Sequence, residues 1–87
     1  MHYVYVLKSK KDDKLYIGCT ADLKRRLLEH NAKLSKATSY RTPLQLVYYE
    51  AYFSSKDAKT REKRLKRFSG SYTHLKRRIE DSLIISK

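Results

Sequence analysis

The chain reads as an α+β fold in which a three-stranded antiparallel sheet is flanked by helices, in the order β-β-α-β-α-α. Three observations predict this. Runs rich in β-branched and aromatic residues occur at 2–8, 14–19 and 44–53. Stretches with helically spaced apolar residues follow the second and third runs, each opened by a hydroxyl side chain able to cap it. Eighty-seven residues hold one small core, so three strands and the helices covering them make an economical single domain over 1–87.

The first strand, His-Tyr-Val-Tyr-Val-Leu-Lys, alternates with period two. Tyr3, Tyr5 and Leu7 fall on one face, Val4 and Val6 on the other. Lys10 to Asp13 are polar and turn-like, and Lys14 to Cys19 returns as a second strand, so the pair forms a hairpin. In that strand Tyr16 lies on the face opposite Leu15 and Ile17. Gly18 leaves a side-chain gap where a backbone or a phosphate fits. Thr20 is the expected N-cap of a helix reaching Ala32 or Leu34, with Asp22 in its first turn and Leu23, Leu27 and Leu34 as its apolar stripe. Residues 35–43 form a polar loop closed by Pro43, and Leu44 to Phe53 is the third strand. Ser54 and Asp57 open a second helix ending near Phe68 or Ser69, with Gly70 as its left-handed stop. Ser71 caps a third helix with the stripe Leu75, Ile79 and Leu83.

Charge narrows the function. Lys and Arg number 21 against 9 Asp and Glu, a formal net charge of +12. A chain this small has no need of so much charge of one sign for solubility, so a polyanionic partner is expected, DNA or RNA. The eight tyrosines add stacking faces with hydroxyls. Cys19 is the single cysteine, which excludes an internal disulfide and a cysteine-rich zinc site. His2, His30 and His74 lack metal-ligand spacing. No apolar run has membrane-spanning length and no signal core follows Met1, so a soluble cytoplasmic protein without membrane contact is expected.

Glu62 is the sharpest candidate for chemistry. Ala58, Glu62, Leu65 and Ser69 share the core stripe of the second helix, and a carboxylate takes one of its places. An unpaired buried carboxylate costs several kcal/mol, so a metal ion, a salt bridge to Arg26 or a neighbouring lysine, or an edge position open to a cleft must offset it. Arg26 and His30 share one side of the first helix at i, i+4, and Arg26 lies beside the apolar stripe. Taken singly, Arg26 reads equally as an arginine with a packed stem, His30 as a surface or capping histidine, and Tyr3, Tyr5 and Tyr16 as half-buried strand aromatics.

Together these segments resemble the GIY-YIG endonuclease superfamily, and most of all its small stand-alone bacterial members. The first signature strand is Tyr3-Val4-Tyr5 and the second is Tyr16-Ile17-Gly18. The helix Thr-Ala-Asp-Leu-Lys-Arg-Arg-Leu-Leu-Glu-His-Asn carries the family's arginine at Arg26, and Ala58 to Lys66 carries its metal-binding glutamate at Glu62. Four segments in order at family spacing span nearly the whole chain. Tyr3 replaces the glycine of the first signature. The late asparagine of many family nucleases has no clear equivalent after Glu62, Ser69 and Ser71 being the nearest polar residues. No separate DNA-binding domain is expected, so substrate selection is expected to rest on the domain's own basic surface or on a protein partner.

The resemblance implies hydrolysis of a nucleic-acid phosphodiester, DNA before RNA, with one Mg²⁺ or Mn²⁺ held by Glu62. It casts Tyr5 as the base for the attacking water, with nearby cations needed to lower its ordinary pKa of ~10. Tyr16 would orient the water or the phosphate, and Arg26 would stabilise charge on the phosphoryl group. His30 would be a phosphate contact or proton-relay partner. Lys14, Lys24 and Arg25 are candidates for groove contacts on charge alone. Two other readings stand beside this one: a non-catalytic basic DNA- or RNA-binding module on the same fold, and a small ribosome-associated or RNA-processing protein.

Overall fold

A computed structural model describes residues 1–86; Lys87, the last residue of the expected domain, lies outside the described residues. The strands are β1 (His2–Ser9), β2 (Leu15–Thr20) and β3 (Leu44–Tyr52), and the helices α1 (Leu23–Asn31), α2 (Ser55–Arg67), α3 (Ser69–Arg78) and α4 (Glu80–Ile85). A short 3₁₀ turn, Ser39–Arg41, interrupts the loop before β3. The sheet is antiparallel with β1 in the middle, in the order β2-β1-β3. The expected α+β architecture is therefore present, with a fourth helix where the last predicted helix divides.

The central strand is hydrophobic on both faces because both are covered. On one side Val4, Val6 and Ile17 pack against Ala58 and Leu65 of α2 and against Leu75 and Ile79. On the other, Tyr5, Leu7 and Leu44 pack with Tyr16, Leu46 and the α1 residues Leu23 and Leu27. Burial of each such aliphatic side chain contributes about 1.5–3 kcal/mol. The period-two partition read from the sequence holds at each of these positions.

Helix ends differ from expectation. Asp22, not Thr20, caps α1, accepting from the Arg25 N–H at 3.1 Å. The Thr20 hydroxyl is occupied one step earlier, accepting from the Asp22 N–H at 3.1 Å. The helix stops at Asn31, Lys33 follows with a φ of 63°, and Leu34 is exposed rather than part of the stripe. Asn31 then clamps the return of the chain, accepting from Leu44 N–H at 2.7 Å and donating to Leu44 O at 2.9 Å. Ser54 caps α2 as expected, at 3.3 Å from the Asp57 N–H.

The extended backbone of Phe68 turns the chain in one residue, so α3 begins at Ser69. Gly70 and Ser71 accordingly lie inside α3 rather than acting as stop and cap, and Gly70 has no positive φ. A break at Ile79 separates α3 from α4, yet Leu75 and Ile79 stay buried and Leu83 packs beside them. Lys8, buried in β1, reaches the end of α4 and donates to Leu83 O at 2.8 Å, a favourable place for a cation.

One network was not anticipated. Glu50 accepts a forked pair of bonds from Arg61 of α2, both at 3.0 Å, together with the hydroxyls of Tyr48 and Tyr52. Burial opposes ionisation of Glu50, but the Arg61 fork and the two hydroxyls outweigh it and hold the carboxyl below its ordinary range. This network fastens α2 to β3.

Candidate active site

The site is built around the pairing of Tyr5 with Gly18 across β1 and β2. The Tyr5 ring lies over Gly18, and a Cβ there would collide with the phenol oxygen. The gap expected at Gly18 is thus filled by the tyrosine itself. On the same face α1 brings in His30, whose Nε2 is 2.8 Å from the Tyr5 hydroxyl. His30 Nδ1 is 2.7 Å from Thr38 Oγ1. Tyr5, His30 and Thr38 are all buried, so they form a closed hydrogen-bonded chain running inward from the sheet surface. Tyr16 meets the His30 ring edge-on, with centroids 5.1 Å apart.

Burial sets the proton affinities. It pushes the Tyr5 phenol up to about 12, against the pull of the Arg26 guanidinium. The expectation that nearby cations lower this group is therefore reversed: desolvation outweighs them. Burial also lowers His30, with the Arg26 charge acting in the same direction and Glu29 opposing. Arg26 is itself desolvated, but its bond to Glu29 and the nearby Tyr5 oxygen outweigh that and raise its proton affinity. Its ion pair is with Glu29, Nη1 to Oε1 at 3.2 Å, not with Glu62.

Glu62 stands on the other side of β2, in a cleft of about 740 Å³ lined by Cys19, Thr20, Lys59, Lys63 and Lys66 among others. Its helix face is the core face, as Ala58 and Leu65 show, but Glu62 lies at the rim and retains 24% side-chain exposure. Its partner is Lys66, 3.2 Å away and one turn on. The Lys66 ammonium also sits 5.8 Å from the centre of the Tyr16 ring, and so links Glu62 to the tyrosine cluster. Among the described residues no three His, Cys, Asp or Glu side chains gather, so a cation held here would have Glu62 as its protein carboxylate.

The structure thus brings Tyr5, Tyr16, Arg26 and His30 together on one side of β2, with Glu62 joined to them through Lys66. Lys24 and Arg25 are exposed on the first turn of α1, Arg25 facing Asp22 at 3.9 Å. Lys14 is at the hairpin turn, in a separate groove with Lys8 and Tyr72. Ser69 and Ser71 begin α3 and do not line the Glu62 cleft. The sequence reading missed Thr38; the neighbouring lysine it offered as a partner of Glu62 is Lys66. The i, i+4 spacing of Lys66 from Glu62 was a usable signal; nothing local marks Thr38, whose role follows from His30 needing a partner once buried.

The buried His30 has a consequence for stability. Its folded pKa is below the ordinary 6.5, so below that pH the unfolded chain binds the extra proton and the folded chain resists it. The contribution is fully present above 6.5 and is lost as pH falls from there. Melting temperatures recorded from about pH 7 to about pH 5 should decline, and the decline should be shallower in His30→Gln. Equal slopes in both proteins would show that His30 does not titrate this way.

A hairpin with a tyrosine packed over a glycine, a helix carrying arginine and histidine, and a glutamate on a second helix are the parts the fold assembles, and the family they match is of nuclease type. Residues 1–77 match the model of the GIY-YIG catalytic domain, and the chain belongs to that family. Among its relatives, the UPF0213 protein HQ_3675A of Haloquadratum walsbyi is 43% identical over 77 residues, covering 87% of this chain and 81% of that protein. The UPF0213 protein SH2523 of Staphylococcus haemolyticus is 45% identical over 69 residues, covering 78% and 83%. The solution structure of the UPF0213 protein BH0048 from Bacillus halodurans, 37% identical, aligns over 99% of this chain and 84% of that one with a TM-score of 0.48. No helix among the described residues is long and apolar enough to cross a membrane.

Proposed function

We propose that the chain is a divalent-metal-dependent endonuclease that hydrolyses phosphodiester bonds of nucleic acid, with DNA preferred to RNA and either structure-specific or weakly specific in its choice of substrate. Nicking during DNA repair or recombination, with a protein partner to direct it, is the setting this chemistry suits. The observation that carries the reading is the buried Tyr5–His30–Thr38 chain beside Arg26. A surface that only bound phosphate would have no use for a proton path leading inward.

In this reading the attacking water gives its proton to the Tyr5 oxygen as the phenol proton passes transiently to His30 Nε2, which burial disposes to give it up again once the departing oxygen takes a proton. The Nδ1–H of His30 donates to Thr38 Oγ1 and fixes the tautomer in which Nε2 accepts. Tyr5 then need not ionise into solvent, which its raised pKa disfavours. Arg26 offers its guanidinium to the non-bridging phosphate oxygens as charge builds on them. The donor set fits a hard cation completed by water and phosphate oxygens: Glu62 is a rim carboxylate, and although His2 and Cys19 line the same cleft, no three His, Cys, Asp or Glu side chains gather among the described residues. Bound there, Mg²⁺ or Mn²⁺ supplies Lewis acidity for the phosphate and the leaving oxygen.

The test is a panel of labelled DNA and RNA structures incubated with Mg²⁺, Mn²⁺ or EDTA. Metal-dependent products support the reading; binding without turnover on every structure would favour a non-catalytic module. Arg26→Ala should reduce cleavage about 10²–10³-fold while changing affinity little, since one of many ground-state cations is lost but a specific transition-state donor disappears. Arg26→Lys should restore only part of the rate, because lysine lacks the planar fork. Equal losses in cleavage and affinity would make Arg26 an anchor only.

A further inference from the structure

The helix α1 covers only part of its sheet face. Beyond its N-terminal end an open cleft of about 500 Å³ remains, lined by Tyr3, Asp22, Leu23, Lys24, Leu46 and Tyr49 among others. Tyr3 and Tyr49 meet edge to face there, with centroids 5.8 Å apart. Tyr49 is 52% exposed, unusual for so large a ring in a strand next to the core. The register places it directly across from Tyr5, on the same sheet face. Ala21, in the β2–α1 connection, lines both this cleft and the one containing Glu62, so the two lie on either side of that connection.

We infer that the Tyr3–Tyr49 cleft is a stacking site for an unpaired nucleobase of the strand being cut. The inference rests on the endonuclease reading for the strand's path and adds what that reading lacks, a preference for single-stranded segments. Three features favour a base over an apolar peptide. The rings are tyrosines, which give a flat face without sequence demand. Lys24 stands at the cleft as a cation for the attached phosphate. The basic groove around Glu62 lies just across Ala21 from the cleft, within reach of the neighbouring phosphates of the same strand. The tyrosine pair positions the ring: an edge-to-face contact with Tyr3 braces Tyr49, which stays half exposed.

The proposal is tested by binding in EDTA, which removes cleavage from the measurement. The probes are a short single-stranded oligonucleotide carrying 2-aminopurine and a blunt, fully paired duplex. Tyr49→Ala should weaken binding of the single strand roughly tenfold, abolish the quenching of 2-aminopurine and leave duplex affinity unchanged. Tyr49→Phe keeps the stacking face and should bind like the parent, which separates stacking from any folding defect. The salt dependence of Tyr49→Ala should match the parent's, since no phosphate contact is removed, whereas Lys24→Ala should reduce the log–log slope by roughly 0.7 for a single strand. Equal single-strand affinity in the parent and Tyr49→Ala, with the parent still cutting, would overturn the stacking site alone. Equal losses on single strand and duplex would overturn it too, as would parental quenching that survives the substitution. Failure of the parent to bind either probe would overturn the endonuclease reading along with it.

Discussion

Tyr5→Phe is expected to fold, to bind nucleic acid as the parent does, and to cut it about 10²–10⁴-fold more slowly, the range general acid–base catalysis supplies. The substitution removes one oxygen and keeps the ring that packs with Leu7, Leu44 and Tyr16. It leaves a small gap over Gly18, where that oxygen occupies the space of the missing Cβ. In addition, His30 Nε2 loses its partner at 2.8 Å and becomes an unpaired buried group, a cost of about 1–3 kcal/mol. The melting temperature should therefore fall by several degrees, and cleavage must be measured well below it. His30→Gln combined with Tyr5→Phe decides whether the two act as one unit: the double variant should be little slower than the slower single one. Multiplying losses would mean separate roles. Cleavage by Tyr5→Phe at the parental rate would remove Tyr5 from the chemistry altogether.

The parts of this site legible in the sequence were those governed by periodicity. Alternation in β1 put Tyr5 and Val4 on opposite faces, and both faces are as expected because each is buried against a different layer. Helical spacing put Arg26 and His30 on one side of α1 and Glu62 on the core stripe of α2. Depth was not legible. His30 reads equally as a surface histidine or a buried one, and only the fold of residues 35–38 over the end of α1 decides it by delivering Thr38.

Direction of pKa shift was not legible for the same reason: counting cations predicts a lowered Tyr5, whereas its desolvation depends on packing that the count ignores. Helix ends failed where two residues compete for one role. Thr20 and Asp22 are both good caps, and the first is used in capping the turn that delivers the second. The Glu50 network did carry a signal, Tyr48, Glu50 and Tyr52 alternating on one strand face. A glutamate between two tyrosines facing a helix requires a cation, and Arg61 supplies it.

Glu62→Gln is expected to abolish metal-dependent cleavage while leaving the fold intact. The two explanations for a carboxylate on a core stripe, a ligand or a structural salt bridge, differ in what its loss does to stability. The ion pair that exists is the i, i+4 contact with Lys66, in which the lysine side chain is 47% exposed and the glutamate 24%. Pairs of that kind contribute about 0.3–0.5 kcal/mol, and Lys66 freed from it remains in water rather than stranded in the core. Glutamine keeps the volume, so packing beside Leu65 is preserved. The melting temperature should move by no more than about four degrees in either direction. Affinity for nucleic acid should hold or rise slightly, because one negative charge leaves a groove lined by Lys59, Lys63 and Lys66. Cleavage in Mg²⁺ or Mn²⁺ should disappear, since among the described residues no other His, Cys, Asp or Glu cluster could take over the ion. Lys66→Met gives the complementary result: it removes the ion pair and leaves the carboxylate, so it should keep metal dependence and lose at most what one groove cation contributes. Melts with and without Mg²⁺, run alongside a nicking assay on both variants, separate the two explanations. A Glu62→Gln protein that melts several degrees lower and still nicks DNA in Mg²⁺ would make Glu62 a structural partner of Lys66 and leave the metal to be placed elsewhere.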